Sequence, residues 1–136
     1  MKIVVIDGQG GGIGRSIVEK LKEELPGAEL IAVGTNALAT SSMLRAGADA
    51  GATGENAVIY NCAHADIIAG PMGIILVNAM LGEISPAMAQ AVSGSRAEKV
   101  LVPVSACGVY VAGVEEKPMS RYIEIAVAAI RKICGA

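Results

Sequence analysis

The sequence predicts an α/β protein, a single Rossmann-like domain over residues 1–136 built as a three-layer sandwich with a mostly parallel sheet. Short apolar runs that do not alternate, such as Ile3 to Ile6, read as strands buried on both faces, which is the mark of parallel pairing. Between these runs lie segments with helical spacing of apolar residues, so strand and helix alternate along the chain. At the first junction the two periods meet in five glycines within seven residues, Gly8 to Gly14.

The elements follow in order. Ile3 to Ile6 form the first strand. From Ile13 onward, Ile13, Ile17, Leu21 and Leu25 fall four apart on one helix face, while Arg15, Glu19, Lys20, Lys22 and Glu23 take the other. Pro26-Gly27 stops that helix and Glu29 to Val33 gives the second strand. Gly34-Thr35-Asn36 leads into a helix from Ala37 to Ala46, closed by Gly47. Asp49 to Ala52 reads as a short strand, and Gly54-Glu55-Asn56 opens a helix through Tyr60 to Cys62. Asp66 to Ala69 is a strand broken by Gly70-Pro71-Met72-Gly73. A helix apolar all round is expected from Gly73 to about Leu81, with Ser85-Pro86 starting another through Val92. Lys99 to Val104 is a further strand and Gly108 to Ala112 a last short strand or hairpin. Pro118-Met119-Ser120 begins a terminal helix with Ile123, Val127, Ile130 and Cys134 on one face.

The glycines have a physical reason. A chain that leaves a strand and enters a helix within a few residues needs a positive φ, which glycine adopts without steric cost. Missing side chains also expose the N–H groups at the helix start, where the dipole favours an anion. The dinucleotide fingerprint G-x-G-x-x-G is not met: counted from Gly8 its third glycine falls on Ile13, and from Gly10 on Arg15. G-x-x-x-G-x-G does fit, with Gly8, Gly12 and Gly14. In this form the loop resembles the cofactor loop of the short-chain dehydrogenase/reductases, with Asp7 where that family has Thr. The expected cofactor-binding residues are Gly8, Gln9, Gly10, Gly11, Gly12, Ile13 and Gly14, a diphosphate lying on the N–H groups of Gly10 to Gly14. A tight turn with close helix packing and no ligand is the alternative.

In dinucleotide folds an acidic residue after the second strand takes the ribose hydroxyls. Here Val33-Gly34-Thr35-Asn36 stands instead, so Thr35 and Asn36, with Thr40 and Ser41, are expected near the ribose or as caps of the next helix. With no carboxylate to repel a 2′-phosphate, NADP is favoured slightly over NAD. Gly70, in the turn after a later strand, is a candidate for the cofactor's second half; a packing role for this Gly-Pro-Met-Gly turn explains it equally well.

Catalytic sets are thin. The reductases' Tyr-x-x-x-Lys acid pair is missing, since Tyr60 is followed four residues on by His64, Tyr110 by Val114 and Tyr122 by Ala126. Cys62, His64 and Cys107 form a weak metal or nucleophile set, against ordinary thiols and a surface histidine. A small reductase using Cys107 or Tyr110 stays open.

Composition bounds the rest. Hydrophobic residues make up 53% and charged residues 18%, which leaves apolar surface to share and leads us to expect a homo-oligomer. Net charge is −2 with no basic stripe, so nucleic acid is not an expected partner. The longest uncharged apolar stretch, Ile67 to Gly82, holds Pro71, three glycines and Asn78 and falls short of the roughly 20 residues a spanning helix needs. Without an n-region at the start, a cytoplasmic location is expected.

The segments Ile6-Asp-Gly-Gln-Gly-Gly-Gly-Ile-Gly14, Gly34-Thr-Asn-Ala-Leu-Ala-Thr40, Gly47-Ala-Asp-Ala-Gly-Ala-Thr-Gly-Glu-Asn56 and Val109-Tyr-Val-Ala-Gly113 resemble those of one family, the small bacterial proteins grouped as domain-of-unknown-function 3842. The resemblance implies a cytoplasmic Rossmann-like protein and carries no established activity. The functional expectation is thus a small NAD(P)- or nucleotide-binding protein with a phosphate-bearing small molecule as partner. A homo-oligomeric regulatory or scaffold subunit, with the Gly73 to Leu81 helix at its interface, is the alternative.

Overall fold

A computed structural model describes residues 1–104 and 108–136. Its strands are β1 (Lys2–Asp7), β2 (Glu29–Gly34), β3 (Ala50–Thr53), β4 (Ile67–Pro71) and β5 (Glu98–Val102). Its helices are α1 (Gly12–Glu24), α2 (Ala37–Arg45), α3 (Glu55–His64), α4 (Pro86–Ser93) and α5 (Met119–Ile133). The strands form one sheet in the order β3-β2-β1-β4-β5, with every neighbouring pair parallel. The α/β sandwich expected from the alternation is the fold observed.

β1 shows why its run is uninterrupted. Ile3 and Val5 pack on one face with Ile17, Val18 and Leu21 of α1, Met43 of α2 and Ile123, Val127 and Ile130 of α5. Val4 and Ile6 pack on the other with Val58 and Cys62 of α3 and Met88, Ala89 and Val92 of α4. All four β1 side chains are fully buried, each contributing about 1.5–3 kcal/mol. A polar residue at any of the four would enter one core or the other.

Register fixes where the strands end. Asp7 pairs with Gly34, and β1 pairs with β4 through Val5 and Ala69. The chain runs from β1 outward to β2 and β3, then returns to β4 on the opposite side, so the switch point lies between β1 and β4. The turns after these strands converge there.

Two expectations are corrected. Gly73 to Leu81 is no helix: a 3-10 turn covers Met72–Ile75, and tight turns follow to Ile84. The reason is local, because Asn78, Met80, Leu81 and Gly82 take positive φ of 65°, 59°, 58° and 91°, incompatible with a right-handed helix. Residues 108–112 form no strand or hairpin and run as turn and irregular chain. Among the described residues no helix is long and apolar enough to cross a membrane.

Candidate functional site at the sheet switch point

The glycine turn sits where the period change predicted. Gly11 is the N-cap of α1 with φ 73°, and a Cβ there would come within 2.9 Å of the Ala39 backbone, so both conformation and space require glycine. Gly14 packs against Met43 and Asp7. Gly10 and Gly12 face open space, where a Cβ would meet nothing within 4 Å.

What holds the turn is Asp7, which is only 4% exposed. Its Oδ1 accepts from the Gly8 N–H at 2.8 Å and its Oδ2 from the Gly14 N–H at 2.7 Å. Burial pushes the Asp7 carboxyl above its usual range, and the N–H groups of Gly14, Gly8 and Ile13 pull it back only in part. The carboxylate thus does for α1 what a bound anion was expected to do, from inside the chain. Gly11 N–H is spent on the Gly8 carbonyl at 2.9 Å. The N–H groups of Gly10 and Gly12 have no partner among the described residues.

A second carboxylate, Glu83, reaches the turn from the segment after the 3-10 turn. Its Oε1 accepts from the Thr35 hydroxyl at 2.5 Å, the Gln9 N–H at 2.9 Å and the Asn36 Nδ2 at 2.9 Å. These donors, Thr35 first, hold the Glu83 carboxyl below its usual range. Asn36 does more besides: its Nδ2 donates to the Gln9 carbonyl and its Oδ1 caps α2 by accepting from Ala39 N–H at 2.9 Å. The capping role expected for Thr35 or Asn36 therefore falls to Asn36. Sequence reasoning missed Glu83 because it lies 74 residues from Gln9 and no motif links them.

Glu83 overturns the premise for NADP, since a carboxylate does stand at the end of β2, supplied from outside it. Thr40 is not free for a ligand either; its hydroxyl is buried against the Asn36 and Ala52 carbonyls and Thr53 Oγ1. Gly70 is buried in β4 with its missing Cβ directed at the Ile6 carbonyl, which explains the glycine by packing. The neighbouring Pro71 and Gly73 instead line a cleft of about 220 Å³ with Asp7, Gln9, Ile13, Ala79, Met80 and Val104. A larger groove of about 490 Å³, sharing Val104, runs along Met72, Tyr110, Glu115, Lys117 and Tyr122.

Of the Cys/His set, Cys62 and His64 lie in different surroundings. Cys62 is buried on α3 and its thiol is pushed up to about 11 by burial, whereas His64 is exposed with Nδ1 2.7 Å from the Tyr60 carbonyl and its ring against Tyr60. Cys107 lies outside the described residues. No group of three metal-ligating side chains occurs among the described residues. Tyr110 is 92% exposed at the groove and has no acid or base partner among the described residues.

A family model described as "Domain of unknown function (DUF3842)" matches residues 2–135. The chain belongs to this family. Among solved structures the DUF3842 chain is similar to a dodecameric FMN-dependent UbiX-like decarboxylase from Escherichia coli O157:H7, at 16% identity and TM-score 0.56. The similarity covers 100% of this chain and 96% of that one. It is also similar to AibC at 18% identity and TM-score 0.50, over 99% of this chain, which spans 42% of AibC. At such identities the likeness is one of fold. No curated protein matches this sequence.

Proposed function

We propose that the protein binds a small phosphate-bearing ligand of nucleotide type at the switch point, with the phosphate on the Gly10 and Gly12 N–H groups. The observation that carries this reading is the pair of Gly10 and Gly12 N–H groups without a partner among the described residues, at empty Cβ positions next in the chain to Gln9 and Ile13, which line the cleft of about 220 Å³. A ring or ribose would rest on Ile13, Pro71, Met80 and Val104. The cleft and its adjoining groove suit a mononucleotide, and the FMN dependence of the UbiX-like neighbour makes a flavin mononucleotide the first ligand to try. NAD remains the dinucleotide candidate, ahead of NADP, because Glu83 would repel a 2′-phosphate beside Thr35 and Asn36.

Thermal unfolding against FMN, AMP, NAD and NADP tests this. A ligand specific for the folded state adds about 2.7 kcal/mol at a hundredfold excess over its dissociation constant, a shift of several degrees. Gly12→Val, whose Cβ would meet no protein atom within 4 Å, should fold and lose that shift. Absence of a shift with every ligand sinks the reading.

A second reading, association of copies, rests on Leu81 and Val77, which stand 99% and 55% exposed on the segment beside the site. Light scattering decides it, and a monomer at micromolar concentration removes it.

A further inference from the structure

One oxygen of Glu83 occupies a seat formed by a hydroxyl, a backbone N–H and an amide NH2 group, at 2.5, 2.9 and 2.9 Å. Such a set of converging donors suits any anionic oxygen. The seat includes the N–H of Gln9, the chain neighbour of Gly10, so a phosphate on the glycine turn would have this N–H as its next donor. Asp7 stands behind the same turn, and among the described residues no lysine or arginine bonds to residues 7–14. With Glu83 in place, a second anion faces two carboxylates and finds its best donors taken.

The segment that carries Glu83 is a short tip held between two buried residues. Ala79 and Ile84 are buried anchors, only 2% and 1% exposed, and Asn78 N–H donates to the Ile84 carbonyl at 2.7 Å, closing the segment on itself. Between them, Met80, Leu81 and Gly82 form a left-handed run that side-chain-bearing L-residues avoid. This tip touches the glycine turn through Met80 and Glu83. Gly8 permits that contact: a Cβ there would stand 2.7 Å from Met80 Sδ, 2.7 Å from Thr35 Oγ1 and 2.9 Å from Glu83 Oε1, so it would crowd the seat and its occupant together.

We propose that Glu83 is the selecting residue of this site, an internal carboxylate that a ligand's anionic group must displace from the Gln9, Thr35 and Asn36 seat. The inference rests on the nucleotide reading above and adds to it what the site rejects. Inorganic phosphate offers charge alone and cannot displace an anion that is already tethered. A nucleotide adds apolar contact in the cleft and can. Selection therefore acts against bare anions and in favour of ligands whose second part fits beside Met80.

The test compares wild type with Glu83→Ala and Glu83→Gln by calorimetric titration with inorganic phosphate and with FMN. Glu83→Gln keeps an acceptor for Thr35 and Asn36 and loses the charge, and it serves if the alanine variant fails to fold. In wild type FMN binds and phosphate at about 10 mM, in a buffer of about 0.15 M ionic strength, does not. Phosphate affinity rises at least tenfold in Glu83→Ala and Glu83→Gln, so the preference for FMN over phosphate narrows. If FMN binds wild type and the phosphate affinity of every variant is unchanged, Glu83 is not the selector and the nucleotide reading stands. If neither FMN nor phosphate binds wild type or any variant, the reading and the selector fall together.

Discussion

Asp7 and Glu83 hold the same turn by opposite means. Asp7 lies at the end of a central strand, nearly sealed from water, with each oxygen bonded to a backbone N–H of the turn it organises. Glu83 is half-buried, comes from a strained tip and uses one oxygen for all three of its donors. The first is part of how α1 begins; the second is a removable occupant. Two carboxylates on one loop thus divide into a structural anion and an exchangeable one, separated by burial and by the stiffness of the backbone behind each.

The largest expected effect is at Asp7. Asp7→Ala leaves the Gly8 and Gly14 N–H groups buried without an acceptor, and the chain should lose about 3 kcal/mol of stability by denaturant titration. That corresponds to roughly 10 °C in Tm for a domain of this size. Glu83→Ala should cost under about 1 kcal/mol, because its donors can turn to water, while amide exchange at Gln9 speeds up. Equal losses at the two positions would erase the distinction. Gly10→Ala should change stability by no more than about 1 kcal/mol, since its side chain enters open space.

The smallest effect is in titration. Glu83 should titrate below 4.5, held down first by Thr35, and Asp7 above 3.8, raised by burial, as read from carboxyl carbon shifts by NMR. The signs oppose in stability as well. The Glu83 contribution is complete above pH 4.5 and is lost as pH falls through its lower folded value. At Asp7 the folded chain holds the proton more tightly than the unfolded one, so stability gains as pH falls through the raised value and levels off at 3.8. Glu83→Gln and Asp7→Asn should each remove one of these slopes and leave the other.

The glycine turn was legible because two periods collide there, and Asp7 stood out as a departure from Thr in the reductase-like loop. Sequence pattern also placed β1, β2, β4 and β5 to within a few residues from their apolar runs and the short β3 without one, while the further strand or hairpin expected at 108–112 is not there. The 72–84 segment was misread because an all-round apolar stretch fits a buried helix and a buried turn alike. Only Asn78 and Gly82 hinted at left-handed backbone; Met80 and Leu81 adopt it against their own preference, through tertiary contacts that no local pattern encodes. Glu83 was hidden for the same reason. Its partners are set by where β2 ends and by how the tip folds back, neither of which is written near position 83.

The central place of β1 also bears on how the chain acquires its fold. One edge of β1 is taken by β2 about 27 residues later in the register Lys2 to Glu29, a local pairing bridged by α1. The other edge waits for β4, since Ile3 pairs with Ile67. During synthesis, until residue 71 is available, the central strand of the sheet therefore has an unpaired edge. Nascent chains halted between α2 and β4 should be the aggregation-prone species, and those carried past Pro71 should not.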